Sequence, residues 1–81
     1  MDEYYASLNK HLIDEYNDVA GYARLFESAP ESDKPILRDL AVEESRHAAV
    51  INDILEDADR LKKSEEYTEA KKKAEKALQE I

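Results

Sequence analysis

Three residues with metal-binding side chains interrupt two otherwise apolar patterns in this chain. Glu15 lies at the centre of the first pattern, in which apolar residues recur at steps of three and four. Glu44 and His47 interrupt the second; they are three residues apart and so share one face of a helix. The two patterns are Tyr5, Leu8, Leu12, Glu15, Val19, Tyr22 and Phe26, and Leu37, Leu40, Glu44, His47, Ile51, Ile54, Ala58 and Leu61. Such patterns face a partner helix, so we expect all three side chains to point into a helical bundle.

The chemistry that suits these side chains is metal coordination. Burying a carboxylate costs several kcal/mol unless it is paired or ligates a metal, and no Lys or Arg lies in either pattern. Carboxylate and imidazole ligands suit iron, manganese or zinc. An antiparallel hairpin with its turn near residue 31 brings Glu15, Glu44 and His47 to similar heights. Two such hairpins would supply four Glu and two His, the ligand set of dinuclear sites in four-helix bundles.

The elements that must position these residues are helices. Strand signals are absent, and Ala, Leu, Glu, Lys and Arg dominate outside one segment that holds both prolines. We expect helices at about 3–28, from a Ser32 or Asp33 cap to about Lys63, and at about 65–81 after a Ser64 cap. The fold class is therefore all-α: we expect a helical hairpin over 1–63 that dimerises into a four-helix bundle, and a docking helix over 64–81. The last helix has a narrow apolar edge and docks either on its own hairpin or on another subunit.

Composition excludes several classes of function. The chain has 81 residues, a formal net charge of −8 and no cysteine, so disulfides, thiolate zinc sites and thiol catalysis are excluded. The acidic balance disfavours nucleic acid and anionic membranes as partners and suits a protein that binds cations. The acidic N-terminal residues do not resemble a signal peptide, and no apolar run is long enough to span a bilayer, so we expect a cytoplasmic protein.

Two segments, 14–22 (DEYNDVAGY) and 43–49 (EESRHAA), resemble the half-size ferritin-like proteins. Encapsulated ferritins are the nearest such group, and rubrerythrin-like proteins are more distant. The resemblance covers roughly residues 8–60. Asn17 and Gly21 depart from the family pattern near the expected route of ion entry, and the chain ends in ALQEI instead of the family's shell-directing tag.

The resemblance implies a di-iron ferroxidase that oxidises Fe(II) with dioxygen for iron storage. Glu15, Glu44 and His47 would be the metal ligands, with Glu44 bridging two iron ions per dimer, and Tyr22 would be a phenol beside the metals. The resemblance also implies a homodimer or a larger ring, inside an encapsulin shell.

Several alternatives stay open. The same site could hold manganese or zinc, and zinc there could be purely structural. It could also reduce peroxide, as rubrerythrin relatives do, or the chain could be a non-enzymatic acidic dimerisation module. His11 is interpreted as a surface residue with a secondary metal site as the alternative, and Asp18 as part of a solvated acidic face. Tyr4, Tyr16 and Tyr67 are interpreted as interface or rim residues.

Overall fold

Three helices account for most of the chain. The computed structural model describes residues 2–81, which form α1 (Asp2–Ser28), α2 (Lys34–Asp57) and α3 (Glu65–Glu80) and contain no strand. The short connection over 29–33 makes α1 and α2 an antiparallel hairpin whose helices pack closely together. The all-α fold class is thus confirmed for one chain. None of the helices in this described part is both long and apolar enough to cross a membrane.

The start of α2 agrees with the sequence prediction. Asp33 is the N-cap residue, although its side chain makes no capping hydrogen bond, and Pro35 lies in the first turn, where its missing N–H costs nothing. The backbone N–H of Asp33 donates to the carbonyl oxygen of Pro30 at 2.9 Å and closes the turn between the helices. This tight turn holds the two helices of the hairpin at a fixed relative height.

The end of α2 differs from the prediction: the helix ends at Asp57, not near Lys63. Asp59 adopts a left-handed backbone conformation with φ of 56°. The N–H of Arg60 then donates to the carbonyl of Leu55 at 2.8 Å, and that of Asp59 to the carbonyl of Glu56 at 3.0 Å. This pair of bonds is a Schellman motif, which satisfies the last carbonyls of a helix and usually has Gly at the left-handed position. Because Asp and not Gly occupies this position, the end of α2 was not evident from the sequence.

Replacing Asp59 with glycine should stabilise the protein. Glycine adopts positive φ without the steric penalty of a side chain, so we expect the free energy of unfolding to rise by about 0.5–1 kcal/mol. Asp53→Gly is the matched control because Asp53 is exposed within α2, where glycine should lower that free energy by a few tenths of a kcal/mol or more. Urea denaturation of both variants measures the change in the free energy of unfolding. Equal changes for Asp59→Gly and Asp53→Gly would contradict the assigned helix end.

Two polar side chains fix the start of α3 and the linker before it. Ser64 Oγ accepts a hydrogen bond from the backbone N–H of Tyr67 at 3.1 Å, which confirms the predicted cap. Asn9 fixes the preceding linker: its Nδ2 donates to the carbonyl of Arg60 at 3.0 Å, and its Oδ1 accepts from the N–H of Lys62 at 2.9 Å. These bonds hold the 58–64 linker against α1.

Helix α3 packs against its own hairpin and mainly against α1. Its buried residues Tyr67, Ala70 and Ala74 join Leu12 and Tyr16 of α1 in one core. The small side chains of Ala70 and Ala74 suit a close approach of the two helix backbones. The predicted apolar edge of α3 is therefore used within the chain, not against another subunit.

The buried stripe of α2 is rotated from the predicted one. Its fully buried residues are Ala41, Ala48 and Leu55, whereas His47 and Ile54 of the predicted seam are exposed. The prediction followed the largest side chains, but the alanines allow α2 to lie closer to α1 and turn the larger residues outward. Some residues of α2 that were predicted to lie in the interior therefore contact the core, and others lie on an uncovered surface.

Candidate metal centre

The hairpin brings Glu15, Glu44 and His47 together at mid-height. One ligand atom from each residue lies within 4.8 Å of the other two. Nδ1 of His47 lies 3.5 Å from Oε2 of Glu15 and 3.7 Å from Oε1 of Glu44. The predicted convergence of the three side chains is therefore present within one chain.

The two carboxylates are more buried than the imidazole. The side chains of Glu15 and Glu44 are 22% and 19% exposed, and that of His47 is 59% exposed. His47 thus lies at the edge of the contact between α1 and α2, not inside it as the sequence predicted. The rotation of α2 explains this, because the stripe containing Ala48 occupies the interior.

One oxygen at this site lacks a hydrogen-bond partner. Oε2 of Glu15 is buried and makes no hydrogen bond. Within residues 2–81, His47 is the one basic side chain within ion-pair distance of Glu15 or Glu44. A buried carboxylate oxygen without a partner is unfavourable, typically by about 1–3 kcal/mol or more. Bound cations are a common way of compensating such a group.

The proximity of the two carboxylates perturbs Glu44. Its pKa is raised above the ordinary value, first because a protonated Glu44 carboxyl group can donate a hydrogen bond to Glu15, then by desolvation and by repulsion from the Glu15 charge, while His47 acts in the opposite direction. Two carboxylates that share a small volume favour one shared proton when no cation is present. The site therefore disfavours its own full ionisation in the metal-free protein.

This pKa shift predicts a pH-dependent gain in stability for Glu44→Gln. The raised pKa favours the folded state below the ordinary value of 4.5, and this contribution is lost as the pH rises through the higher folded-state pKa. At about pH 7, glutamine should raise the free energy of unfolding of the metal-free protein by about 1 kcal/mol, the scale of one polar contact. Below pH 4.5 the gain should disappear, because Glu44 is then protonated.

Thermal unfolding in a chelator at about pH 7 and about pH 4 measures this difference. Glu43→Gln is the matched control, because Glu43 is the exposed neighbouring carboxylate. A gain for Glu43→Gln equal to that for Glu44→Gln would attribute the effect to net charge and not to the Glu15 contact.

The ligand set fits a divalent metal ion. Two ligands of one ion with bonds of about 2.1 Å lie about 3.0–3.5 Å apart. The separations of 3.5 and 3.7 Å between His47 and the two carboxylates are close to that range. Two carboxylates and one neutral imidazole suit iron, manganese or zinc, and three ligands leave coordination positions free.

Comparison with known proteins finds no match for this chain. No protein-family model matches it, and neither does any curated protein or solved structure. The arguments for the site therefore rest on its own residues.

The other predicted site residues lie outside this trio. Tyr22 is half-buried and packs against the core, two helical turns from Glu15. A role beside the metals stays a prediction for this residue. His11, Asp18 and Glu43 are exposed, as expected for surface residues.

Two tyrosines that the sequence analysis interpreted as interface or rim residues are buried within the chain. The rings of Tyr16 and Tyr67 lie 5.9 Å apart between α1 and α3, and the Tyr67 hydroxyl donates to Oδ1 of Asn52 at 3.0 Å. Burial, reinforced by Tyr67, raises the pKa of Tyr16 to about 12. The spacing of Tyr16 from Leu12 and of Tyr67 from Ala70 could have indicated core positions. These tyrosines mark the side of the hairpin that α3 covers.

Helical spacing places the candidate metal centre on the side of the hairpin away from α3, and we call this uncovered side the open face. Several large apolar residues on this side are exposed, including Leu25 at 55%, Ile36 at 60% and Val50 at 59%. From their spacing along the two helices, we assign to the open face Tyr4, Leu8, His11, Glu15, Asp18, Tyr22 and Leu25 of α1 and Ile36, Leu40, Glu43, His47, Val50 and Ile54 of α2. It is apolar at both ends and carries the ionisable groups in the middle.

Proposed function

We propose that this chain is a ferroxidase-like di-iron protein that oxidises Fe(II) with dioxygen for iron storage. The observation that carries the proposal is the buried Oε2 of Glu15, which makes no hydrogen bond, beside Glu44 and His47. A cation would compensate both carboxylates and occupy the position between three ligand atoms of suitable type. The resemblance of segments 14–22 and 43–49 to half-size ferritin-like proteins adds the reaction.

The proposed active form contains two copies of the chain. One chain supplies three ligand side chains, and these lie on an open face with exposed Leu25, Ile36 and Val50. Isolated exposed apolar residues are ordinary, but a stripe of them along one face suits an interface. A second copy on this face would bury the stripe and supply three more ligands, giving four Glu and two His for two iron ions. A ring of such pairs is a further prediction from the resemblance.

The residues of the site have distinct roles in this proposal. Glu15 and Glu44 would neutralise the charge of the cations, and His47 would supply a neutral nitrogen ligand. Because the raised pKa of Glu44 reflects the cost of its charge beside Glu15, a bound cation would favour the ionised form of this carboxylate. Tyr22 would stand as a phenol near the metals.

The bound iron supplies the redox chemistry: each of two Fe²⁺ ions loses one electron, and dioxygen gains two electrons and two protons. The polypeptide contributes the ligand geometry and an acidic surface that attracts cations, since the net charge is −8.

Anaerobic loading with Fe²⁺ followed by exposure to air tests this function. The wild-type protein should bind about one Fe²⁺ per chain and develop ferric absorbance faster than Fe²⁺ in buffer. His47→Ala should slow the initial rate at least about tenfold because it removes one of three ligands. Arg46→Ala changes an exposed neighbour and should oxidise iron at the wild-type rate. Equal rates for wild type and His47→Ala would refute the proposed site.

The exposed apolar stripe also favours a second candidate, a non-enzymatic dimerisation module. Metal analysis of protein purified in the presence of iron separates the two, because the module would retain almost none. Comparing hydrogen peroxide with dioxygen as the oxidant distinguishes a ferroxidase from a peroxide-reducing relative. Loading with manganese or zinc tests the alternative metals, and a redox-silent zinc form would indicate a structural site. A cytoplasmic location and an encapsulin shell stay predictions from composition and from the resemblance, respectively.

A further inference from the structure

The open face is nearly symmetric about the row formed by Glu15 and His47. These two side chains touch across the hairpin, with Nδ1 of His47 3.5 Å from Oε2 of Glu15. Positions seven residues away on either side lie about 10.5 Å along the helices from this row. The four residues at those positions are all apolar: Leu8, Tyr22, Leu40 and Ile54. A surface with this repeat can meet a copy of itself that is turned end for end.

The charged residues of the open face break that symmetry. Asp18 and Glu43 lie on the side of the row nearer the turn, about 4.5 and 6 Å along the helices from it. His11 lies about 6 Å from the row on the other side. All three side chains are exposed, and residues 2–81 contain no ion pair involving them.

A second copy related by a two-fold axis can dock in two ways. In the first, the turns of the two hairpins lie at the same end of the dimer. Helix α1 then lies on α2 of the second copy, and Asp18 meets Glu43. In the second, the turns lie at opposite ends, so that α1 lies antiparallel on α1 of the second copy and Asp18 meets His11. The first arrangement opposes two carboxylates twice, whereas the second places a nitrogen donor at each Asp18. Like charges facing across an interface are strongly disfavoured.

We propose that the second copy docks with its α1 antiparallel to the first, so that His11 of each copy contacts Asp18 of the other. The same arrangement places Leu8 against Tyr22 and Leu40 against Ile54 of the second copy. The inference rests on the dimer of the proposed function and adds its orientation and a positioning role for His11.

Disulfide mapping tests the orientation directly, because the chain contains no cysteine. His11→Cys and Asp18→Cys chains, mixed and oxidised, should form a cross-linked heterodimer. Each variant alone should not, since its two copies of the cysteine would lie about 9–12 Å apart along α1, and a disulfide needs Cα atoms within about 7 Å. Asp18→Cys mixed with Glu43→Cys is the matched control and should stay uncross-linked.

The independent pair Leu25→Cys and Tyr4→Cys should also cross-link, whereas Leu25→Cys with Ile36→Cys should not. Cross-linking of Asp18→Cys with Glu43→Cys, or of Leu25→Cys with Ile36→Cys, would overturn the proposed orientation. Absence of cross-links in every mixture would overturn the dimer on this face.

A charge substitution tests the same contact in a second way and does not introduce a cysteine. His11→Glu should raise the dimer dissociation constant about tenfold or more, because it places a carboxylate against Asp18. Gln79→Glu makes the same change in charge at an exposed position on α3 and should leave the constant unchanged. Mixing His11→Glu with Asp18→Lys should restore tight association, and failure to restore it would contradict the contact.

These outcomes separate the inference from the metal function. The expected cross-links in a chain that retains no metal would leave the orientation standing and remove the ferroxidase. Normal iron oxidation together with cross-links between Asp18→Cys and Glu43→Cys would leave the ferroxidase standing and overturn the orientation.

Discussion

Glu44→Ala should lower the affinity for Fe²⁺ by about 100-fold or more. The variant removes one of three ligands, and losing even a residue that only orients a ligand typically costs about 10–100-fold in metal affinity. Anaerobic titration, with Zn²⁺ as a redox-inactive comparison, measures the loss.

Glu43→Ala is the control for this prediction, because it removes an adjacent carboxylate that is exposed and outside the trio. It should weaken Fe²⁺ binding by no more than a few-fold, through the smaller acidic charge of the surface. Equal losses in Glu43→Ala and Glu44→Ala would mean that the chain attracts cations by net charge alone.

The two substitutions proposed at Glu44 expose a trade-off between stability and binding. The same carboxylate pair that opposes ionisation in the metal-free protein is the pair that a cation requires. Glu44→Gln should therefore stabilise the protein in a chelator and yet abolish the extra stability that Fe²⁺ gives the wild type. Ligand-induced stabilisation grows with the ratio of ligand concentration to dissociation constant, so the two effects have opposite signs in one variant.

Leu55→Ala should unfold a large fraction of the protein at room temperature. Leu55 is 0% exposed, and removing a buried leucine side chain typically costs about 2–5 kcal/mol. A domain of this size usually has about 3–5 kcal/mol of core stability in total. Circular dichroism in a chelator should show a large loss of helix at 25 °C or a strongly lowered melting temperature.

Ile54→Ala is the matched control, because Ile54 is adjacent to Leu55 and 40% exposed. Dilute, metal-free protein should lose about 1 kcal/mol or less on this substitution. The pair also separates the two descriptions of α2, since the sequence pattern placed Ile54 in the seam and the structure places Leu55 in the core. A larger loss for Ile54→Ala would favour the original pattern.

The helices and the convergence of the site were predictable because they depend on local chemistry. Strong helix formers, the Ser64 cap and the proline-containing turn fixed three helices at nearly their observed positions. Glu15, Glu44 and His47 were expected to converge because two antiparallel helices joined by a short turn bring equally distant residues to one height.

The features that were predicted wrongly depend on tertiary packing. Asp59 ends α2 in a left-handed conformation that glycine would normally signal. Ala41 and Ala48 carry too little apolar surface to attract notice in a pattern of large residues, yet they set how closely α1 and α2 approach. His47 consequently lies at an edge, and Tyr16 lies under α3, positions that appear only once three helices are packed together.

The position of α3 limits how copies of this chain can assemble. Tyr67, Ala70 and Ala74 occupy one side of the hairpin, so its main exposed apolar stripe lies on the opposite side. If two identical molecules join through that stripe, the contact is isologous: each uses the same patch, and the patch is consumed. Such pairing is self-limiting and cannot propagate into filaments. A ring would then require separate contact surfaces on the outside of the dimer.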